Sequence, residues 1–265
     1  MQSGLKGQTI LVTGASGGIG AATSRLLSEE GARLILHYNQ NRDSAENLQG
    51  KLSGESFTVQ ADVTDEIAVD KMYSNILSLV PRLDGIVVNA GIWIANEVPL
   101  HKMTLDQWQR TMDADLTGAF LSCRGFLRHL STDPRDHASI VMVASTAAVF
   151  GEENHADYSA AKAAMAFGMT QSLKNEIVRL ARYGRVNCVC PGWVETPMAI
   201  SSMEDPSILS RVTATMALRK VAQPEDVANA IGFLLSPTLA GHLSGTVLPI
   251  AGGMEGRLLH NSKDT

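Results

Sequence analysis

The chain predicts a doubly wound α/β protein, a single parallel sheet of about seven strands with helices on both faces. Three observations predict it. Short apolar runs rich in β-formers and bounded by turn residues recur along the 265 residues. Most are separated by stretches with apolar residues at helical spacing. The first run leads directly into a glycine-rich turn and then a helix. Alternation of this kind is the pattern of βαβ crossovers, which cover a parallel sheet on both sides.

Taken in order, the strands are expected at residues 9–13, 33–38, 56–60, 85–89, 139–144, 186–189 and 246–250. Residues 19–30 form the first helix, with Ile19, Ala22, Leu26 and Leu27 on one face. Two longer helical stretches, 107–130 and 159–180, follow the fourth and fifth strands, the second carrying Ala163, Ala166, Phe167 and Leu173. The alternation lapses over 195–222, after Pro191-Gly192, and a strandless segment of that length reads as a functional loop or lid. Residues 256–265 are polar and read as a fraying tail. With no internal repeat or low-complexity linker, residues 1–265 are expected to form one domain.

Composition excludes several function classes. Hydrophobic residues make up 45% and charged residues 18%, the balance of a soluble globular protein with a large core. The net charge of −5 and the scattered Lys and Arg leave no basic stripe for nucleic acid. No run approaches the roughly 20 apolar residues that span a bilayer, so no membrane partner is expected. Met1-Gln2-Ser3-Gly4 is not the start of a charged-then-apolar leader, and the expected address is cytoplasmic. Cys123, Cys188 and Cys190, odd in number and without CxxC spacing, read as reduced core thiols. The histidines form no HExxH or His/Cys cluster, so no metal is expected and an organic cofactor must carry the chemistry.

The residues for that chemistry are Ser145, Tyr158 and Lys162. Tyr158 and Lys162 stand four apart, on nearly the same face of a helix. A tyrosine pKa near 10 must fall by roughly three units, about 4 kcal/mol, for proton transfer near neutrality, and an adjacent ammonium lowers it. Ser145 would polarise a carbonyl. The turn Thr13-Gly14-Ala15-Ser16-Gly17-Gly18-Ile19-Gly20, between a strand and a helix, suits a pyrophosphate held by backbone N–H groups at a helix N-terminus.

These motifs, together with Val88-Asn89-Ala90-Gly91 and the later Pro191-Gly192, resemble in content and order the short-chain dehydrogenase/reductase family, from about residue 7 to residue 254. The resemblance implies a Rossmann-type fold of seven strands and a homotetramer or homodimer. It implies cofactor contacts from Gly14, Ser16, Gly17, Gly18, Ile19 and Gly20, and from Asp62 and Val63 at the adenine. Asn89, Ala90 and Gly91 would line the ribose side, while Pro191, Gly192, Val194 and Thr196 would hold the nicotinamide end. Tyr158 would transfer the proton, Lys162 would stabilise the phenolate and bind the ribose, and Ser145 would steady the oxyanion.

Asp115 occupies the place of the family's catalytic asparagine. At about 5 Å and an effective dielectric of about 20, its charge would oppose phenolate formation by roughly 3 kcal/mol. Asp115 is then protonated, neutralised by Lys162, or the cause of a higher pH optimum. At the end of the second strand Tyr38 stands where NAD enzymes place a carboxylate, and Asn39 and Arg42 can meet a phosphate. NADP(H) is therefore preferred, with NAD(H) as the alternative.

The substrate pocket is expected from Trp93, Ser145, Phe150, His155, Tyr158, Trp193 and Met198, with Ile94, Val149 and Glu152 nearby. Residues 152–155 either meet substrate hydroxyls or form a solvated loop. The activity implied is ketone reduction resembling that of 3-oxoacyl-(acyl-carrier-protein) reductases. The alternative is a dehydrogenase of a sugar, polyol or cyclic alcohol. A reading of another class is a dinucleotide-sensing regulator that has lost turnover, with Asp115 as the lesion. An acyl carrier protein partner is acidic and calls for a basic patch, to which Arg124, Arg128, Arg135, Lys174 and Arg179 would contribute. Asn175 departs from that pattern, standing where those reductases show a basic residue.

Overall fold

Successive residues of a strand face opposite sides of a sheet, and here both sides are apolar. Leu11, Ile35, Ile86, Ile140 and Cys188 enter one core, whereas Ile10, Leu34, Leu36, Val87, Val141 and Val189 enter the other. That is why the strands read as continuous apolar runs. In the computed structural model, which describes residues 2–200 and 206–254, the strands are β1 (Thr9–Val12), β2 (Arg33–Tyr38), β3 (Ser56–Gln60), β4 (Gly85–Val88), β5 (Ser139–Val143), β6 (Arg185–Pro191) and β7 (Val247–Ile250). They form one parallel sheet in the order β3-β2-β1-β4-β5-β6-β7.

The helices are α1 (Gly18–Glu29), α2 (Arg42–Gln49), α3 (Glu66–Leu79), α4 (Leu105–Thr111), α5 (Gly118–Thr132), the short α6 (Ala147–Phe150), α7 (Ala156–Ala163), α8 (Thr170–Ile177), α9 (Pro206–Thr213) and α10 (Pro224–Leu235). Leu27 of α1, Leu48 of α2 and Ile231 of α10 close one core. Ile76 of α3, Phe126 of α5 and Ile177 of α8 close the other. Cys123, Cys188 and Cys190 are free and buried.

Two helices differ from expectation. Each long stretch is broken by a π-helical turn, Met112–Thr117 between α4 and α5 and Ala164–Met169 between α7 and α8. The second also begins earlier than expected, at Ala156, so Tyr158 lies in the first turn of α7. Strands β1 and β4 stop one residue short of the predicted ends, Thr13 N–H still donating to Val87 O at 3.0 Å while its hydroxyl receives the next N–H of the β4 loop. Asn89 N–H donates to Thr13 Oγ1 at 2.9 Å. In the stretch 195–222, Val194 and Ala222 bridge across its base and α9 lies within it. Residues 201–205 of that segment, and the tail 256–265, lie outside the described residues.

The strand order reverses between β1 and β4, so the chain leaves their C-terminal ends toward opposite faces. A crevice opens at such a switch point.

Candidate active site

The crevice is a cavity of about 500 Å³ along the C-terminal ends of the strands. Its floor is the turn after β1. Gly14 has φ +62°, and a Cβ there would lie 3.0 Å from Ala90 Cα. A Cβ on Gly20 would fall 2.2 Å from Gly14 O, so the helix can start this close only with glycine. The N-cap Gly17 brings no side-chain acceptor, which leaves the first-turn N–H groups of α1 and the positive end of its dipole for an anion.

Two side chains pin this turn. His37 Nδ1 accepts from Gly14 N–H at 3.1 Å while Nε2 faces Ala61 O at 3.1 Å. Burial lowers the His37 pKa, and the neutral ring is the form that can accept. Asn89 Nδ2 donates to Thr13 O and Gly14 O, both at 3.1 Å. The role of His37 was invisible in sequence, because a histidine inside an apolar strand carries no sign of its partner.

Of the expected cofactor residues, Gly14, Gly17, Gly18 and Ile19 line the cavity at the turn, and Asn39, Asp62 and Val63 line it beyond β2 and β3. Asn89, Ala90 and Gly91 line its middle, and Pro191, Gly192, Val194 and Thr196 its far wall. Asp62 accepts from Thr64, whereas Asp65 caps α3. Four expected residues are not in the lining. Ser16 stays in the turn, Gly20 packs on Gly14 O, Tyr38 ends β2 outside the wall, and Arg42 is held by Glu46 at 2.7 Å on an exposed helix face. From the end of β3 to the end of β5 is four strand spacings, roughly 19 Å. The cavity therefore has the length, the glycine cradle and the helix N-terminus that fit a dinucleotide.

At the β5 end stand Ser145, Tyr158 and Lys162, all on the cavity wall. Ser145 Oγ accepts from Ala147 N–H at 3.1 Å and hydrogen-bonds the Tyr158 phenol. Lys162 Nζ lies 5.5 Å from the Tyr158 ring centroid, donates to Val143 O at 3.4 Å and pairs with Asp115 Oδ1 at 3.5 Å. Asp115 sits fully buried behind Lys162, outside the cavity lining, with Oδ1 also accepting from Ile92 N–H at 2.8 Å. Oδ2 has no hydrogen-bond partner among the described residues. A Cβ on Gly91 would fall 2.2 Å from Asp115 Oδ1, so only glycine admits this approach.

The electrostatics follow. Burial raises the Asp115 carboxyl, against the pull of Lys162 and the Ile92 N–H. Burial pulls the Lys162 ammonium down, but Asp115 and Tyr158 outweigh it and its pKa is raised. The Tyr158 phenol is raised, by burial first, with Lys162 lowering it and Asp115 raising it again. Lys162 and Asp115 thus act on the phenol in opposite directions. In the protein by itself, burial and the Asp115 charge outweigh the ammonium.

Trp93, Trp193 and Met198 line the substrate end, as expected. Phe150 does not, being exposed at the end of α6 outside the lining. His155 also stays out of the lining. It is buried against Trp93, its ring stacked at 5.3 Å, with Nδ1 and Nε2 facing Glu153 O at 3.2 Å and Ile94 O at 3.1 Å. Trp193 meets Trp93 edge-on at 5.9 Å. Asp157 is an unforeseen support of α7, accepting from Thr111 Oγ1 of α4 at 2.7 Å.

The basic patch expected for a carrier protein is largely consumed. Arg124 pairs with Glu66 at 2.7 Å, Arg128 with Asp70 at 3.1 Å and Arg135 with Asp84 at 3.2 Å. No helix among the described residues is long and apolar enough to cross a membrane.

The family model described as Enoyl-(Acyl carrier protein) reductase matches residues 14–255. Cis-4-hydroxycyclohexanecarboxylate dehydrogenase of Sinomonas cyclohexanicum is 36% identical over 92% of this chain and 94% of its own length. The 3-oxoacyl-[acyl-carrier-protein] reductase of Synechocystis sp. is 33% identical over 94% of this chain and 98% of its own. A short-chain dehydrogenase/reductase of the glucose/ribitol dehydrogenase type from Brucella melitensis superposes with a TM-score of 0.86 at 30% identity, covering 96% of this chain and 99% of that one. Levodione reductase superposes with a TM-score of 0.85 at 27% identity, covering 93% of this chain and 97% of that one.

Proposed function

Because the chain belongs to the short-chain dehydrogenase/reductase family, whose members here are oxidoreductases of CH–OH and ketone groups using NAD(P)(H), we propose that Ser145, Tyr158 and Lys162 interconvert a ketone and a secondary alcohol. The observation that carries this reading is their convergence on one wall of a cavity whose other end is the glycine turn. A nicotinamide dinucleotide, when bound, supplies or accepts the hydride. Tyr158 gives its proton to the substrate oxygen in reduction and takes it back in oxidation. Ser145 donates to the same oxygen as its charge grows. Lys162 keeps its ammonium beside the phenol and offers donors to a ribose, while Asp115 acts as a positioning residue through Lys162.

NADP(H) is the preferred cofactor in this reading. The support is the absence of a carboxylate at Tyr38-Asn39, where one would repel a 2′-phosphate, with Asn39 lining the cavity there. The paired state of Arg42 removes it from that argument. The ion-paired arginines favour a free small molecule over a carrier-bound acyl chain, although 3-oxoacyl reductases stand among the relatives. Cyclic ketones and alcohols are the leading class, in keeping with the names of the cyclohexane and levodione relatives.

The test is NADPH and NADH oxidation against 3-oxoacyl thioesters, cyclic ketones and diketones, and keto sugars. Turnover of one class with NADPH preferred, lost about 10³-fold in Tyr158→Phe with cofactor binding intact, is the expected result. Tight cofactor binding with no turnover of any carbonyl would favour the sensor reading instead.

A further inference from the structure

The substrate end of the cavity carries a charged side chain that proton transfer does not use. Glu152 lines the wall with Tyr158, Trp93 and Trp193. Its backbone is fixed to the catalytic helix, its N–H donating to Ser159 Oγ at 3.0 Å, so its position is registered against Tyr158 next in sequence to that serine. Its carboxylate has no hydrogen bond or ion pair among the described residues. The other charged groups of the lining are spoken for or far away. Lys162 is held by Asp115. Asp62 follows β3, roughly 19 Å off by strand count.

The surroundings set what Glu152 would accept. Glu97 adds negative charge to its field and His155 offsets part of it. Arg211 reaches only Glu97, at 3.9 Å and from an exposed position. The Trp93–His155 stack and the edge-on Trp193 form an apolar wall beside the carboxylate. An anionic substrate entering here would meet like charge and, among the described lining residues, no free cation. A neutral hydroxyl would find a half-buried carboxylate acceptor whose backbone is tied to the catalytic helix.

We infer that Glu152 is a specificity-determining residue, selecting hydroxylated ketones and their alcohols through a second hydroxyl that donates to its carboxylate, and rejecting carboxylated ones. This rests on the ketone–alcohol reading above and narrows its substrate class.

The test is kcat/KM of the full chain, with NADPH and with NADH, for cyclohexanone, 4-hydroxycyclohexanone and 4-oxocyclohexanecarboxylate. These share one ring and differ only in the group that would face Glu152. The wild type is expected to favour the hydroxylated ketone over cyclohexanone by about tenfold to a hundredfold, the size of a charge-assisted hydrogen bond, and to use the carboxylate least. Glu152→Leu collapses the hydroxyl preference and Glu152→Lys raises the carboxylate above cyclohexanone. Glu153→Gln, at an exposed neighbour, leaves the ratios as they were. Should Glu152→Leu not fold, Glu152→Ala carries the same loss of hydroxyl preference. Turnover of all three ketones without discrimination, or discrimination that survives the Glu152 variants, overturns the inference and leaves the ketone–alcohol reading standing. Failure to turn over any of the three or their alcohols, with turnover of another carbonyl class of the panel above, overturns the inference alone, whereas silence across that whole panel with cofactor bound overturns both.

Discussion

Lys162 answers to two groups, and the balance between them sets the pH at which Tyr158 works. Its ammonium is 3.5 Å from Asp115 Oδ1 and 5.5 Å from the Tyr158 ring centroid. Asp115 raises both the lysine and the phenol. Replacing it with asparagine keeps the shape that accepts from Ile92 N–H and removes the charge. Alcohol oxidation needs the phenolate, so its rate rises as pH passes upward through the Tyr158 pKa. Without the Asp115 charge that pKa falls, and the rise in kcat/KM of Asp115→Asn is expected about one unit lower in pH. An unchanged pH–rate profile would mean that Asp115 acts by shape alone. Position 115 was legible only through the family resemblance, as the place of the catalytic asparagine, and its contact with Ile92 was not legible at all, being made across the fold. Glu152 was legible only as an alternative, since a loop carboxylate reads the same whether it faces solvent or a cavity.

The strands were readable because burial on both faces forces continuous apolar runs, and their ends lay within one or two residues of expectation. The π turns were not, because one extra residue per turn barely disturbs helical periodicity over so short a run. Helix packing on the β4 side was equally hidden, and it depends on a glycine. A Cβ on Gly125 of α5 would lie 2.1 Å from the ring of Tyr73 in α3, and that ring cannot swing away because its hydroxyl donates to Ser122 O at 2.6 Å. Gly125→Ala is expected to destabilise the protein by about 1–3 kcal/mol through overpacking, read as a lower urea midpoint. An unchanged midpoint would show that α3 and α5 can separate freely, against the packing described.

The helical runs that carry the reaction also leave apolar side chains in solvent. Leu105 of α4, Phe120 of α5, Phe167 in the π turn after α7 and Val178 beyond α8 are 78%, 47%, 51% and 47% exposed. The two runs are tied to each other, Thr111 of α4 donating to Asp157 of α7. The family resemblance implied a homotetramer or homodimer, and we propose that these two helical runs carry its contact. A stable self-association buries about 800 Å² on each partner, an area that two helical runs meeting their copies can supply. Light scattering is expected to find an oligomer, and the pair Phe120→Asp with Phe167→Asp to shift it toward monomer by placing charges in an apolar contact. Because Tyr158 and Lys162 ride on α7, loss of that contact should also lower kcat more than it changes cofactor affinity, which depends on the turn after β1 at the other end of the cavity. A monomeric wild type, or a double variant that stays assembled, would place the interface elsewhere and leave the exposed phenylalanines to another role.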